Sequence, residues 1–209
     1  ECIERGGIGF MLASLHHPAM GKVGAVRRAL GVRTVFNFLG PLTNPAGVRR
    51  QLLGVSAPEY LGVLAGVLAR VGCERALVVS GHGGMDELSV VGTSSVIEVE
   101  NGVAGEPYLL APEDCGLPRY EQAALAGGDP VENAEITRRI LAGEPGAQRD
   151  VVLLNAAAAL YVAGEVDSIP AGMARARESI DSGRAARALA DLAAISNELA
   201  AAREMRVTR

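Results

Sequence analysis

Apolar positions recur along this chain with two different periods, and the periods predict its elements. From Ala19 to Leu30, Met20, Val23, Val26 and Leu30 stand three and four apart, which predicts one face of a helix, with Arg27 and Arg28 beside it. Gln51 to Val55 reads as a short strand. Ser56 followed by Glu59 has the capping-box pattern, with Ser56 as N-cap, and Leu61, Leu64, Leu68 and Val71 then form a helical stripe that Gly72 ends. Ala76 to Val79 is a short buried strand, so strand, helix and strand make a β-α-β unit with a parallel sheet. Ser95 to Val99 running into Asn101-Gly102 predicts a strand entering a hairpin.

Further on the period is helical. Asp150 to Val162 carries Val151, Val152, Leu153, Leu154 and a run of alanines, which predicts a tightly packed buried helix. Pro170 to Ile180 is amphipathic and stops near Gly183, a suitable C′ residue. Leu189, Leu192, Ile195 and Leu199 mark a final helix, and the charged tail 200–209 is expected to fray. The fold class expected from this order is α/β, a mostly parallel central sheet flanked by helices.

Composition narrows the function. At 209 residues, 49% hydrophobic and 21% charged, the chain fits one large domain with a sizeable core. A net charge of -4 argues against a nucleic-acid partner, because phosphate binding needs clustered positive charge. No apolar run is long enough to predict a membrane span. With no Trp, 4 Tyr and 3 Phe, stacking platforms for bases are disfavoured. Cys2, Cys73 and Cys115 stand apart without a C-x-x-C pair, which disfavours a zinc or disulfide framework and fits a reducing cytoplasm. No signal-peptide pattern is visible, and the start at Glu1, already inside folded-looking sequence, reads as part of a longer polypeptide.

Three loops hold candidate chemistry. Thr34 to Pro45 is apolar yet broken by a Gly40-Pro41 step and Pro45, so it either packs as a structural loop or lines a cavity. Ser80-Gly81-His82-Gly83-Gly84-Met85-Asp86-Glu87 follows a strand, where ligands of open α/β sheets bind. Its paired carboxylates suit Mg²⁺, which is held by one or two carboxylates plus substrate phosphates, although an ordinary turn could carry the same residues. Gly127-Gly128-Asp129 resembles a phosphate loop, but no strand precedes it, and a helix entry is the better reading. His16, His82 and Cys73 are read as non-functional.

Several motifs then fall in order: His17-Pro18-Ala19-Met20, Val26-Arg27, Leu30-Gly31-Val32-Arg33-Thr34, Phe36-Asn37, Gly40-Pro41-Leu42-Thr43-Asn44-Pro45, Gly84-Met85-Asp86-Glu87-Leu88-Ser89, Gly127-Gly128-Asp129 and Leu154-Asn155-Ala156. Together they resemble the anthranilate phosphoribosyltransferases, within the glycosyltransferase family 3 and nucleoside phosphorylase-like superfamily, over almost the whole chain. The resemblance implies the C-terminal large domain of a two-domain enzyme of tryptophan biosynthesis. Such enzymes move phosphoribosyl from phosphoribosyl pyrophosphate to anthranilate, as a cytoplasmic homodimer using Mg²⁺. It implies a domain over 1–199, with a helical segment 18–33 near the substrate entrance and the N-terminal helical domain absent. Arg27 would contact anthranilate, His17 and Pro41 would line the aromatic substrate's channel, and Asp86 and Glu87 would hold Mg²⁺ against the pyrophosphate. No catalytic base is assigned, and residues 1–209 alone are expected not to turn over.

The chain departs from that family at Ser80, where His is frequent, at Gly21 beside Lys22, where a basic residue is common, and at Cys115, where an aromatic is frequent. Two rival readings remain: a pyrimidine nucleoside phosphorylase-like enzyme, and a non-catalytic relative that binds nucleic acid.

Overall fold

A computed structural model describes residues 1–11, 16, 29, 31, 42–44 and 46–207. His17, Arg27 and Pro41 lie outside the described residues, as do nearly all of the segment 18–33 and most of the loop 34–45. Strand β1 (Arg50–Gly54), helix α2 (Leu61–Arg70) and strand β2 (Arg75–Ser80) form the expected β-α-β unit; α1 (Cys2–Gly6) precedes it. β1 and β2 are parallel, with Arg50 opposite Arg75 and Gly54 opposite Val79. Successive residues of β2 point to opposite faces and both faces are covered. Leu77 and Val79 meet one apolar cluster and Ala76 and Val78 the other, and all four are essentially inaccessible.

Among the described residues the rest of the sheet departs from the expected mostly parallel arrangement. β3 (Ser94–Glu100) runs antiparallel to β2, and β4 (Val103–Ala104) and β5 (Tyr108–Leu110) both pair antiparallel with β3. The cause lies in the connections. A parallel crossover needs an intervening element, usually a helix. Residues 81–93 form a glycine-rich loop with only a short 3-10 turn, so the chain can only turn back. Between β3 and β4, Asn101 (φ 49°) and Gly102 (φ 79°) make the two-residue turn that the sequence announced.

On one face, Leu61, Leu64, Ala65 and Leu68 of α2 pack on Leu53, Val78, Ile97 and Val99. Each fully buried Leu there contributes roughly 2 kcal/mol of transfer free energy. Val71, at the end of the stripe, is exposed, and Ser56 caps nothing: a 3-10 turn at Pro58–Tyr60, preceded by Ala57, starts α2 instead. On the other face lies α4 (Ala147–Ala163), whose Leu153, Leu154, Ala157 and Ala158 are buried, with α5 (Ile169–Asp181) against it. At the crossing a Cβ on Gly172 would stand 2.8 Å from the Ala157 carbonyl, the close approach that the alanine run predicts. The C-terminus of α4 is fixed to the sheet by two arginines, which suits the negative end of its dipole. Arg50 donates to the Ala163 carbonyl, and Arg75 donates to the Tyr161 carbonyl at 3.2 Å while lying 4.3 Å above the Tyr161 ring.

Helix α3 (Pro130–Leu141) starts at Asp129, and α6 (Arg184–Val207) is helical through the segment 200–207 that was expected to fray. Ala, Arg, Glu and Met dominate that segment and are strong helix formers. Farther back, Arg5 of α1 donates to both oxygens of Glu198 of α6, at 3.0 and 2.6 Å. Gly183 (φ 76°) follows α5 as the sequence predicts. Among the described residues no helix is long and apolar enough to cross a membrane.

Candidate functional site

Strand β2 ends at Ser80, and the chain immediately closes a tight loop. Gly81 N–H donates to the Met85 carbonyl at 2.8 Å, and Gly84 N–H to the Gly81 carbonyl at 3.2 Å. Gly83 and Gly84 have φ of 72° and 81°, a left-handed conformation open to glycine at little cost. The loop thereby delivers Met85, Asp86 and Glu87 to the carboxyl end of β2, beside the end of β1.

How closely this segment lies on the sheet is read from two glycines. A Cβ on Gly54, the last residue of β1, would stand 1.5 Å from the Asp86 carbonyl oxygen and 2.4 Å from its carbon. A Cβ on Gly81 would stand 2.3 Å from the Glu87 carbonyl oxygen. The backbone that bears both acids therefore runs over two positions without side chains. Glycine at a strand end marks such close approaches, a signal that the apolar pattern of β1 does not carry.

Asn155 of α4 also reaches the segment. Its Oδ1 accepts from Leu88 N–H at 2.9 Å, its Nδ2 donates to the Leu88 carbonyl at 2.9 Å, and Nδ2 lies 3.5 Å from Glu87 Oε2. The role of Asn155 is hidden from local sequence patterns because its partner Leu88 is remote in sequence. Beyond it, Ser89 N–H donates to Ser94 Oγ, and Val91 N–H to Ser89 Oγ.

The Asp86 and Glu87 residues are exposed. Packing around the Glu87 carboxyl, and secondarily the Asp86 charge, pushes its pKa above the ordinary value. The two adjacent carboxylates repel one another, and a cation held between them would relieve that repulsion. The donors are two hard oxygen groups with no nitrogen or sulfur among them, which fits Mg²⁺ better than a transition metal. Among the described residues no group of three or more His, Cys, Asp or Glu gathers. His82 is exposed with its ring against Gly92, where a Cβ would meet it at 2.6 Å. Cys73 donates its thiol to the Arg49 carbonyl at 3.1 Å. His16 is exposed. The Gly127-Gly128-Asp129 loop is a helix entry: Asp129 accepts from Val131 and Glu132 N–H at 2.7 and 2.9 Å, and Glu132 accepts in return from Asp129 N–H at 3.0 Å. Of the five residues singled out by sequence, the structure places Asp86 and Glu87 side by side at the sheet's end; the other three are outside the described residues.

Comparison with known proteins adds the following. The profile of the glycosyl transferase family, a/b domain, matches residues 1–186. The chain is 52% identical over 201 residues to an anthranilate phosphoribosyltransferase of Rubrobacter xylanophilus, covering 96% of this chain and 58% of that protein. It is 52% identical over 194 residues to the protein of that name in Anaeromyxobacter dehalogenans, covering 93% and 57%. The fold is similar to the crystal structure of the anthranilate phosphoribosyltransferase from Thermus thermophilus, with a TM-score of 0.82, 48% identity, and coverage of 91% of this chain and 55% of that one. It is similar also to the Saccharomyces cerevisiae enzyme in complex with PRPP and Mg, with a TM-score of 0.73, 33% identity, and coverage of 84% and 50%. The chain thus spans under three-fifths of the length of these relatives.

Proposed function

This chain belongs to the glycosyl transferase family through its a/b domain, and from that premise we propose that it carries the pyrophosphate-side metal site of an anthranilate phosphoribosyltransferase. In the reaction the anthranilate amine lone pair forms a bond to the ribose anomeric carbon. The bond from that carbon to the pyrophosphate oxygen breaks, pyrophosphate leaves with the electron pair, and the amine gives up a proton. An aromatic amine needs no strong base to act as a nucleophile, so orientation and charge neutralisation carry most of the barrier reduction.

The observation that supports this reading best is the Asp86–Glu87 pair, exposed at the carboxyl end of β2 in a chain about half identical to proteins of that name. Asp86 and Glu87 would hold Mg²⁺, which when bound would offset the charge that develops on departing pyrophosphate. Arg27 orients anthranilate, and His17 and Pro41 line its channel, in this proposal. The complete enzyme acts as a cytoplasmic homodimer.

The test is made in the full-length polypeptide with Mg²⁺. Anthranilate and phosphoribosyl pyrophosphate should yield N-phosphoribosylanthranilate and pyrophosphate. Arg27→Ala should raise the anthranilate KM about tenfold or more, the scale of a lost charged hydrogen bond, while the phosphoribosyl pyrophosphate KM stays within about twofold. Equal changes in both constants remove Arg27 from the anthranilate site. Phosphorolysis of thymidine in place of transfer assigns the chain to the nucleoside phosphorylases, and salt-sensitive DNA retention without turnover makes it a nucleic-acid binder.

A further inference from the structure

We infer that Asn155 is a positioning residue for the Asp86–Glu87 pair, holding the acid-bearing segment at Leu88, just past its close approaches to Gly54 and Gly81; this rests on the metal role proposed above for the two acids. After Glu87 the chain enters the interior. Leu88, Ser89 and Val90 are buried, yet none of them belongs to a strand. Buried backbone groups need partners. Leu88 finds both of its own in one side chain, because Asn155 accepts from its N–H and donates to its carbonyl, each at 2.9 Å. The amide thus does for this residue what a neighbouring strand would do. The pairing also fixes the amide's orientation, since a flipped amide would set donor against donor and acceptor against acceptor.

The latch is itself anchored. Asn155 Nδ2 also donates to the Val151 carbonyl at 2.9 Å, one turn back in α4. Its neighbours on that helix, Val151, Leu153, Leu154, Ala157 and Ala158, are buried, so the amide sits on a rigid support. From this support Nδ2 also lies 3.5 Å from Glu87 Oε2. The segment is therefore held by its close approach to two glycine backbones and by one amide. Substitutes without an amide cannot repeat the geometry. Asp accepts but cannot donate to the Leu88 carbonyl, Ser is too short to bridge both groups, and Leu leaves both unpaired.

Mg²⁺ requires near-ideal octahedral geometry at short distances. A small drift of two carboxylates on a freed segment therefore weakens Mg²⁺ without touching the anthranilate side. Changes to residues that hold metal ligands in place typically cost 10–100-fold in metal affinity or activity.

The experiment compares the full-length enzyme with Asn155→Ala and Asn133→Ala. Asn133 makes the same two-way clamp on Gly128, 2.9 Å to its N–H and 2.9 Å to its carbonyl, at the entry of α3. Asn155→Ala is expected to raise the Mg²⁺ concentration for half-maximal turnover about tenfold or more. Its anthranilate KM stays unchanged, and its rate recovers at high Mg²⁺. Asn133→Ala should leave the Mg²⁺ requirement as it was. Asn155→Ser serves in the same way if the alanine variant does not fold. In the unsubstituted enzyme the Leu88 amide must exchange slowly with solvent, although it lies outside every strand. An unchanged Mg²⁺ requirement in Asn155→Ala, an equal rise in Asn133→Ala, or fast exchange at Leu88 each overturns the inference alone. Turnover independent of Mg²⁺ overturns the metal reading of Asp86 and Glu87 and this inference with it.

Discussion

Two loops of this protein look alike in sequence and do different physical work. Ser80 to Glu87 and Gly127 to Asp129 both combine glycines with acids, and in both an asparagine amide grips both backbone groups of one residue. In the second loop every partner is local. Asn133 reaches back five residues to Gly128, and Asp129 and Glu132 bond to the backbone of their own helix entry. In the first loop the grip comes from Asn155, 67 residues away, and the floor is Gly54 on another strand. Its acids are left open: among the described residues only the 3.5 Å approach of Asn155 touches Glu87, and Asp86 has no such contact. An acid that caps its own helix is committed to that contact, whereas acids held in place by remote groups stay open to a ligand.

The largest expected effect comes from adding a methyl group under each loop. Gly54→Ala places Cβ 1.5 Å from a backbone oxygen of Asp86, and neither strand nor loop can move aside cheaply. We expect a loss of about 3 kcal/mol or more, at or beyond the upper end of overpacking, or no soluble protein. Gly128→Ala places Cβ 1.7 Å from Glu132 Oε2, the end of a flexible exposed side chain that can swing away. Its cost should stay near 1 kcal/mol, the scale of a weakened capping interaction. Urea unfolding of both variants checks this, and equal losses would end the distinction between the two loops.

What the sequence announces and what it hides divide along the same line. The helix entry at Asp129, the turn at Asn101-Gly102, the β-α-β unit and the buried alanine helix are set by near neighbours, and each was readable from period or turn chemistry. Not every departure from the sequence reading has a remote cause. The direction of β3 depends on what residues 81–93 can span, and the failure of Ser56 to cap reflects Pro58 starting a 3-10 turn first. Asp86 and Glu87 were legible as a pair following a strand. Gly54 and Asn155 were not, because the first matters only through a strand neighbour and the second only through a helix packed across the sheet.

A smaller effect separates the acids themselves. Asp129→Ala removes two capping bonds and is expected to destabilise the protein by about 1 kcal/mol. The Mg²⁺ requirement of the full-length enzyme should not change, because Asp129 belongs to the helix entry alone. Loss of Mg²⁺ dependence in this variant would mean that the two loops share one site.

The smallest expected effect has the opposite sign. Glu87→Gln keeps size and shape and removes a charge that its surroundings disfavour. Burial, and then Asp86, raise the Glu87 carboxyl above its ordinary value, so the folded protein holds that proton more tightly than the unfolded chain. The sign follows. Below about pH 4, the ordinary range for Glu, both states are protonated and the raised value costs nothing. As pH rises through the ordinary value and then the raised one, the unfolded chain ionises first, and the native state loses stability relative to it. Above the raised value this deficit is constant. Without metal, Glu87→Gln should therefore melt slightly higher than the unsubstituted protein at pH 7, and the gain should vanish near pH 4. Adding Mg²⁺ should reverse the order at pH 7, because a cation bound only to the folded form raises the melting temperature of the chain that can bind it. A gain of equal size at both pH values would trace to packing and not to charge. A lower melting temperature at pH 7 without metal would show that Glu87 is engaged structurally, as Asp129 is, and would remove the contrast between the two loops.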